Sequence, residues 1–132
     1  MSTALTAHAR KKWRKAGYFV EQGEHITRMG SVVRRHDTFG FADLLCIKVG
    51  SLVLLQVTSW GNVSARVNKI ARESHGSGQY TMPMAWIAGV LLSTFGVRIV
   101  VEGWKLDPKT NRWVSREVEV TTKLLLERRR KK

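Results

Sequence analysis

Asp43, Gln56 and Thr58 bring an acid, an amide and a hydroxyl into two otherwise apolar runs, residues 41–48 and 52–58. The Gly50-Ser51 pair between the runs suits a two-residue hairpin turn. With Val49 facing Leu52, Ile47 falls opposite Leu54, Leu45 opposite Gln56 and Asp43 opposite Thr58. Side chains alternate along a strand, so the three polar groups share one face, with Asp43 and Gln56 diagonal neighbours roughly 7–8 Å apart. Carboxylate and amide oxygens are hard ligands, and Mg²⁺ is usually held by one or two protein carboxylates plus water and substrate phosphate. A loop cap for Asp43 and a solvated edge-strand amide for Gln56 are the plain alternatives. Against them, a polar group in a buried strand must find a partner or cost stability.

A helix must follow this pair. After Ser59-Trp60-Gly61, a turn, Asn62 stands where an N-cap is expected, and Val63, Val67, Ile70 and Ala71 have helical spacing for a core face. Asn62, Arg66, Lys69 and Glu73 form a second, polar stripe on the same helix. Arg66 and Lys69 suit a solvated face or, next to Asp43 and Gln56, phosphate clamps.

A strand with Asp, a tight turn, a strand ending in a polar triplet and then a basic helix resembles the PD-(D/E)XK nuclease superfamily, in particular the small Holliday junction resolvases and related short phage-encoded proteins. The resemblance implies a single-domain α/β restriction-endonuclease-like fold, a mixed central β-sheet flanked by helices, over residues 1–122, with 123–132 a basic tail. It implies metal-dependent DNA cleavage in recombination, with Mg²⁺ or Mn²⁺ as cofactor, branched or distorted DNA as substrate and a bacterial or phage-infected cytoplasm as the setting. Position by position, Asp43 matches the family's Asp, Gln56 its Glu and Thr58 its Lys, so Asp43, Gln56 and the Val57 carbonyl are the implied metal ligands. Gln keeps an oxygen ligand and removes a charge. Thr removes the cation that would polarise water and steady developing phosphorane charge. Some branches of the family carry that Lys on the following helix, which makes Lys69 or Arg66 a substitute and Lys48 a weaker one. The family also has an acid on its first helix; residues 1–17 contain none, which leaves Glu21, Glu24 or Asp37 for the role.

Composition agrees with a polyanionic partner. In 132 residues, 23 Lys and Arg oppose 10 Asp and Glu, for a net charge of +13, so binding to duplex DNA should weaken with salt by a log–log slope of about −0.9 per phosphate contact. An apolar content of 43% argues for one folded core rather than a disordered basic chain.

The remaining elements position these groups. Ser2 or Thr3 caps a first helix with Leu5, Ala9, Trp13 and Ala16 as its apolar stripe and Gly17 as its stop. Arg10, Lys11, Lys12, Arg14 and Lys15 take its other faces, where Arg10, Lys11 and Arg14 can touch phosphate. Residues 18–21 read as the first strand. The segment that follows, with Gly23, Gly30 and Ser31, reads as a mobile loop carrying Arg28, Arg34, Arg35 and His36 toward Asp37, with Arg34 and Arg35 as backbone contacts. Residues 75–80 make a flexible connection without a phosphate-loop Lys, 84–93 a buried helix, and 98–104 and 112–121 two strands joined by a turn at 107–111. The apolar stretch 82–97 is too short to span a bilayer. Trp104 and Trp113 suit packing across the hairpin rather than base stacking. Three Leu ahead of Glu127 and a run of Arg and Lys give a short helix ending in a basic arm. Cys46 is the sole cysteine, buried in its strand, and the four His have no zinc-ligand spacing.

Three function classes fit: a junction-cleaving endonuclease; a nucleic-acid-binding protein that keeps the nuclease fold and does not cut; and a basic assembly protein. A symmetric homodimer is compatible with the first.

Overall fold

The computed structural model describes residues 3–72 and 82–130; the side chains of 3, 24–27, 32–36 and 129–130 lie outside that description. The chain runs α1 (Thr3–Lys15), β1 (Phe19–Gln22), β2 (Glu24–Met29), β3 (Val32–Asp37), β4 (Leu44–Lys48), β5 (Ser51–Ser59), α2 (Val63–Ile70), α3 (Met84–Leu92), β6 (Val97–Asp107), β7 (Arg112–Val120) and α4 (Thr122–Arg130). Five strands form a mixed sheet in the order β1-β4-β5-β6-β7, flanked by helices, while β2 and β3 form a separate two-stranded sheet. All neighbours in the main sheet are antiparallel except β5 and β6. That parallel step requires a crossover, which carries α2 and α3.

The two faces of the sheet bury separate cores. Alternate residues Leu54, Ile99, Val101 and Val120 meet Val63, Val67 and Ile70 of α2, Met84 and Ala88 of α3 and Leu125 of α4. The residues between them, Val53, Leu55, Val57, Val100 and Trp104, meet Ala9 and Trp13 of α1. The expected core face of α2 is therefore the observed one. On α1 the stripe runs Leu5, Ala9, Trp13, but the helix stops at Lys15 and Ala16 is exposed, because Gly17 at φ 96° turns the chain away. Lys12 also leaves the solvent side expected of it and reaches Glu102 at 2.7 Å.

Two expectations are corrected. The β4–β5 turn is Val49-Gly50, with Lys48 opposite Ser51, Ile47 opposite Leu52 and Leu45 opposite Leu54, two residues away from the register read off Gly50-Ser51. Gly50 adopts φ 75°, a second-turn-position geometry that glycine takes without a Cβ penalty. A slip of one residue would have turned the polar set to the other face; a slip of two keeps it. The basic segment after β1, expected as a mobile loop, is the β2–β3 hairpin, turned at Gly30-Ser31 with Arg28 opposite Val33, Thr27 opposite Arg34 and Ile26 opposite Arg35. Its strands lack the apolar alternation of a core strand, so the pairing was invisible to periodicity.

The short helix expected at the start of the basic segment 123–132 is α4, which runs Thr122–Arg130 and buries Leu125. Arg128 ties this helix to α2 through Asn68 Oδ1 at 2.8 Å. Glu73 and the connection 75–80 lie outside the described residues. Among the described residues no helix is long and apolar enough to cross a membrane.

Candidate metal and phosphate site

Asp43 is placed by its backbone before its side chain acts. Its N–H donates to the Leu55 carbonyl at 2.8 Å, and its carbonyl accepts from Gly23 N–H at 2.8 Å. The approach of Gly23 depends on its lacking a side chain: a Cβ there would overlap the Ala42 carbonyl oxygen and lie 3.0 Å from the Asp43 carbonyl group. The carboxylate then accepts from the buried Val57 N–H through Oδ2 at 2.8 Å. A buried carboxylate held by a main-chain donor has a fixed rotamer, which is the property a ligand needs.

Asp37 is brought to the same place by a tight loop. Gly40 N–H donates to the Asp37 carbonyl at 2.8 Å, and Ala42 N–H to the Thr38 carbonyl at 2.9 Å. Thr38 closes on Gly23 through both its N–H at 2.9 Å and its hydroxyl at 2.7 Å. Phe39 takes φ 57° within this loop, a left-handed conformation costing a non-glycine residue on the order of 1 kcal/mol. Phe41, 1% exposed, anchors the loop in the core. Of the three acids named for the missing helical carboxylate, Asp37 lines the cleft. Glu21 is exposed on β1, and Glu24 pairs with Asp37 at the hairpin base.

Strand β5 supplies the floor. Gln56, Val57, Thr58 and Ser59 line a cleft of about 390 Å³ together with Leu5, Asp37, Asp43, Asn62 and Arg66. Gln56 and Thr58 are 3% and 5% exposed, so the strand buries its polar residues with its apolar ones. Gln56 Oε1 is buried and has no hydrogen-bond partner. An acceptor left in that state costs about 1–3 kcal/mol, a cost that a cation or a ligand donor at the site would remove.

Helix α2 completes the far wall. Asn62 holds the N-cap position but makes no capping bond; its side chain faces the cleft along with that of Arg66, one turn on. Lys69 is not among the described residues lining the cleft, and Lys48 lies at the opposite end of β4 with its ammonium 4.3 Å from the Tyr18 ring centroid. Arg66 is therefore the cation that this wall presents. On α1, Arg10 donates to Gln22 Oε1 at 2.6 Å, and Lys11 and Arg14 are exposed. Arg34 and Arg35 stand on β3, and their side chains are outside the described set.

Asp37, Asp43 and Gln56 thus offer two carboxylates and one amide oxygen, all hard donors, in a cleft that Val57 also lines. Among the described residues no group of three or more His, Cys, Asp and Glu gathers to hold a metal; the set needs the amide to reach three. The orphaned Gln56 oxygen beside Asp43 fits a hard divalent cation, which takes oxygen ligands and keeps several waters. Asn62, Ser59, Thr58 and Arg66 surround the same space with donors suited to phosphate oxygens. Ser59, Asn62 and Asp37 were recognisable in the sequence only as a turn residue, a cap and one of three candidate acids.

A second buried polar centre lies on the other face. Glu102, fully buried, accepts from Lys12 Nζ at 2.7 Å, Trp13 Nε1 at 3.0 Å and Trp104 Nε1 at 2.8 Å. Its signal was an acid inside the apolar run 99–104. Trp104 and Trp113 meet through His8, which stacks on Trp104 with ring centroids 5.6 Å apart and lies tilted against Trp113 at 4.9 Å. Burial, and secondarily the charge of Glu102, pushes the Cys46 thiol up to about 12, so it is a protonated core residue.

No family model, curated protein or solved structure matches this chain.

Proposed function

We propose that the protein is a divalent-metal-dependent DNA endonuclease acting on branched or distorted DNA, in the manner of the Holliday junction resolvases that its central segment resembles. The observation that carries this reading is the buried, unpartnered Gln56 Oε1 in one cleft with Asp37 and Asp43. Asp43, Gln56 and the Val57 carbonyl would hold Mg²⁺ or Mn²⁺, with Asp37 as the second carboxylate. Bound there, the ion would supply charge against the phosphate oxygens and acidify water.

The chain's own groups do the rest. Val57 N–H keeps the Asp43 carboxylate in one orientation, and the Thr38–Gly23 closure keeps Asp37 beside it. Arg66 presents a permanent positive charge to a phosphodiester, and Asn62, Ser59 and Thr58 offer neutral donors to its oxygens. Hydrolysis adds water to phosphorus, breaks one P–O ester bond, and transfers a water proton to the departing alcohol. With Thr58 where the resemblance calls for Lys, Arg66 is the side chain that can stabilise the charge developing on phosphorus.

That same Thr58 favours a second reading, a nucleic-acid-binding protein that no longer cuts. The two separate in a cleavage assay on a four-way junction and a matched linear duplex, with Mg²⁺, Mn²⁺ or chelator. Asp43→Asn is the informative variant: its amide oxygen can still accept from Val57 N–H, whereas Asp43→Ala orphans that donor. Metal-dependent cuts on the junction, lost in Asp43→Asn with binding retained, support the nuclease. Tight binding with no cut under any metal selects the binding protein, and cleavage by Asp43→Asn at the wild-type rate removes Asp43 from the site.

A further inference from the structure

Trp60 follows directly on the cleft residue Ser59 and carries two cations on its ring. Lys105 Nζ lies 4.2 Å from the ring centroid and the Arg116 guanidinium carbon 4.9 Å. Arg116 also donates to the Trp60 carbonyl at 2.7 Å. Both cations are exposed, and neither has an acid partner among the described residues.

The strands explain why. Side chains alternate across a sheet, so on β6 and β7 Gly103, Lys105, Val114 and Arg116 belong to the face that α2 covers, and Glu102, Glu117 and Glu119 to the face that α1 covers. Those glutamates pair with Lys12 and Arg98 on their own side. Asp107 shares the Lys105 side, but its carboxylate closes its own turn, accepting from Lys109 N–H at 3.0 Å and the Thr110 hydroxyl at 3.2 Å. Within β6 and β7, Lys105 and Arg116 are thus left without an acid partner among the described residues.

Arg116 sits opposite Gly103, and Gly103 opposite the cleft residue Thr58. Two strand spacings of about 4.8 Å separate Arg116 from the cleft floor, a span within reach of phosphates close together on one strand.

We infer that Trp60, Lys105 and Arg116 form a second contact for the nucleic-acid backbone, flanking the cleft and gripping phosphates close along the strand to the one held there. The inference rests on reading the cleft as a nucleic-acid site. The ring does not stack on bases, because its face is taken by the cations. It orders two long side chains before the ligand arrives, which reduces the entropy lost on binding. A backbone contact carries no sequence information and acts through charge alone.

Fluorescence anisotropy of a labelled four-way junction, measured over a salt series in chelator with the full chain, tests it. The Lys105→Ala/Arg116→Ala variant should bind more weakly at every salt, with a log–log slope shallower by about 1.8, since each phosphate contact contributes about 0.9. Both side chains are exposed, and unchanged circular dichroism and thermal melting would exclude misfolding as the cause. Arg98→Ala, which removes a cation paired with Glu119 on the other face, should leave the slope as it is. Wild-type affinity and slope in the double variant would overturn the inference while leaving the cleft reading intact. A wild-type protein that binds no junction at all would overturn both.

Discussion

The two faces of one sheet bury polar groups in opposite ways. Under α1, Glu102 has a donor on each oxygen, with its cation and one indole supplied by α1 and the second indole by its own strand β6. At the α2 end of β5, Gln56 is buried to the same degree with its oxygen unanswered, next to two carboxylates and an open cleft. A closed network serves the fold. An open one holds a stability cost that only something from outside the chain removes, and that difference separates structural polarity from a site.

The comparison breaks most visibly at Glu102. Removing Glu102 leaves the buried Trp13 and Trp104 N–H groups without their acceptor, at about 1–3 kcal/mol each, so Glu102→Ala should lower the urea midpoint strongly while the folded fraction keeps its junction binding. Loss of binding in protein shown to be folded would mean that this network serves the site after all.

Gly23→Ala acts on the strap that joins the hairpin to Asp43. Crowding the Ala42 and Asp43 backbone should cost about 1–3 kcal/mol and displace the Asp43 carboxylate, so cleavage should fall by more than the folded fraction does. Equal losses of the two would show that Gly23 supports the fold alone.

Gln56→Met sharpens the comparison with the smallest effect on stability. It replaces an orphaned acceptor with an apolar group of similar length, a change expected to be neutral or stabilising. The wild type should gain about 2.7 kcal/mol in Mg²⁺ or Mn²⁺ at a hundred times its Kd, read as a rise in melting temperature, and Gln56→Met should lose that gain. A metal-induced rise of the same size in the variant would take Gln56 out of the donor set.

Much of the architecture was legible because it is local. Val63, Val67 and Ile70 recur at helical spacing, and α2 buries them. The turn at 107–111 and the strands beside it follow from Asp107, Pro108 and Asn111, the last at φ 55°. The hairpin β2–β3 was not legible, because polar and basic strands paired only with each other carry no apolar alternation. Nor was the left-handed Phe39, a residue type that gives no warning of that conformation.

What the sequence determined by itself was the company Asp43, Gln56 and Thr58 keep, because a period of two and one short turn fix faces even when the register slips by an even number. It also determined the net charge of +13. Tertiary structure alone decided which acid joins Asp43, which cation faces the cleft, and which glutamate is fully answered. Asp37 reaches the site through a loop closed on Gly23, and Glu102 finds its donors 89 and 90 positions away on α1. Such pairings depend on how a helix lies across a sheet, and no local pattern encodes that angle.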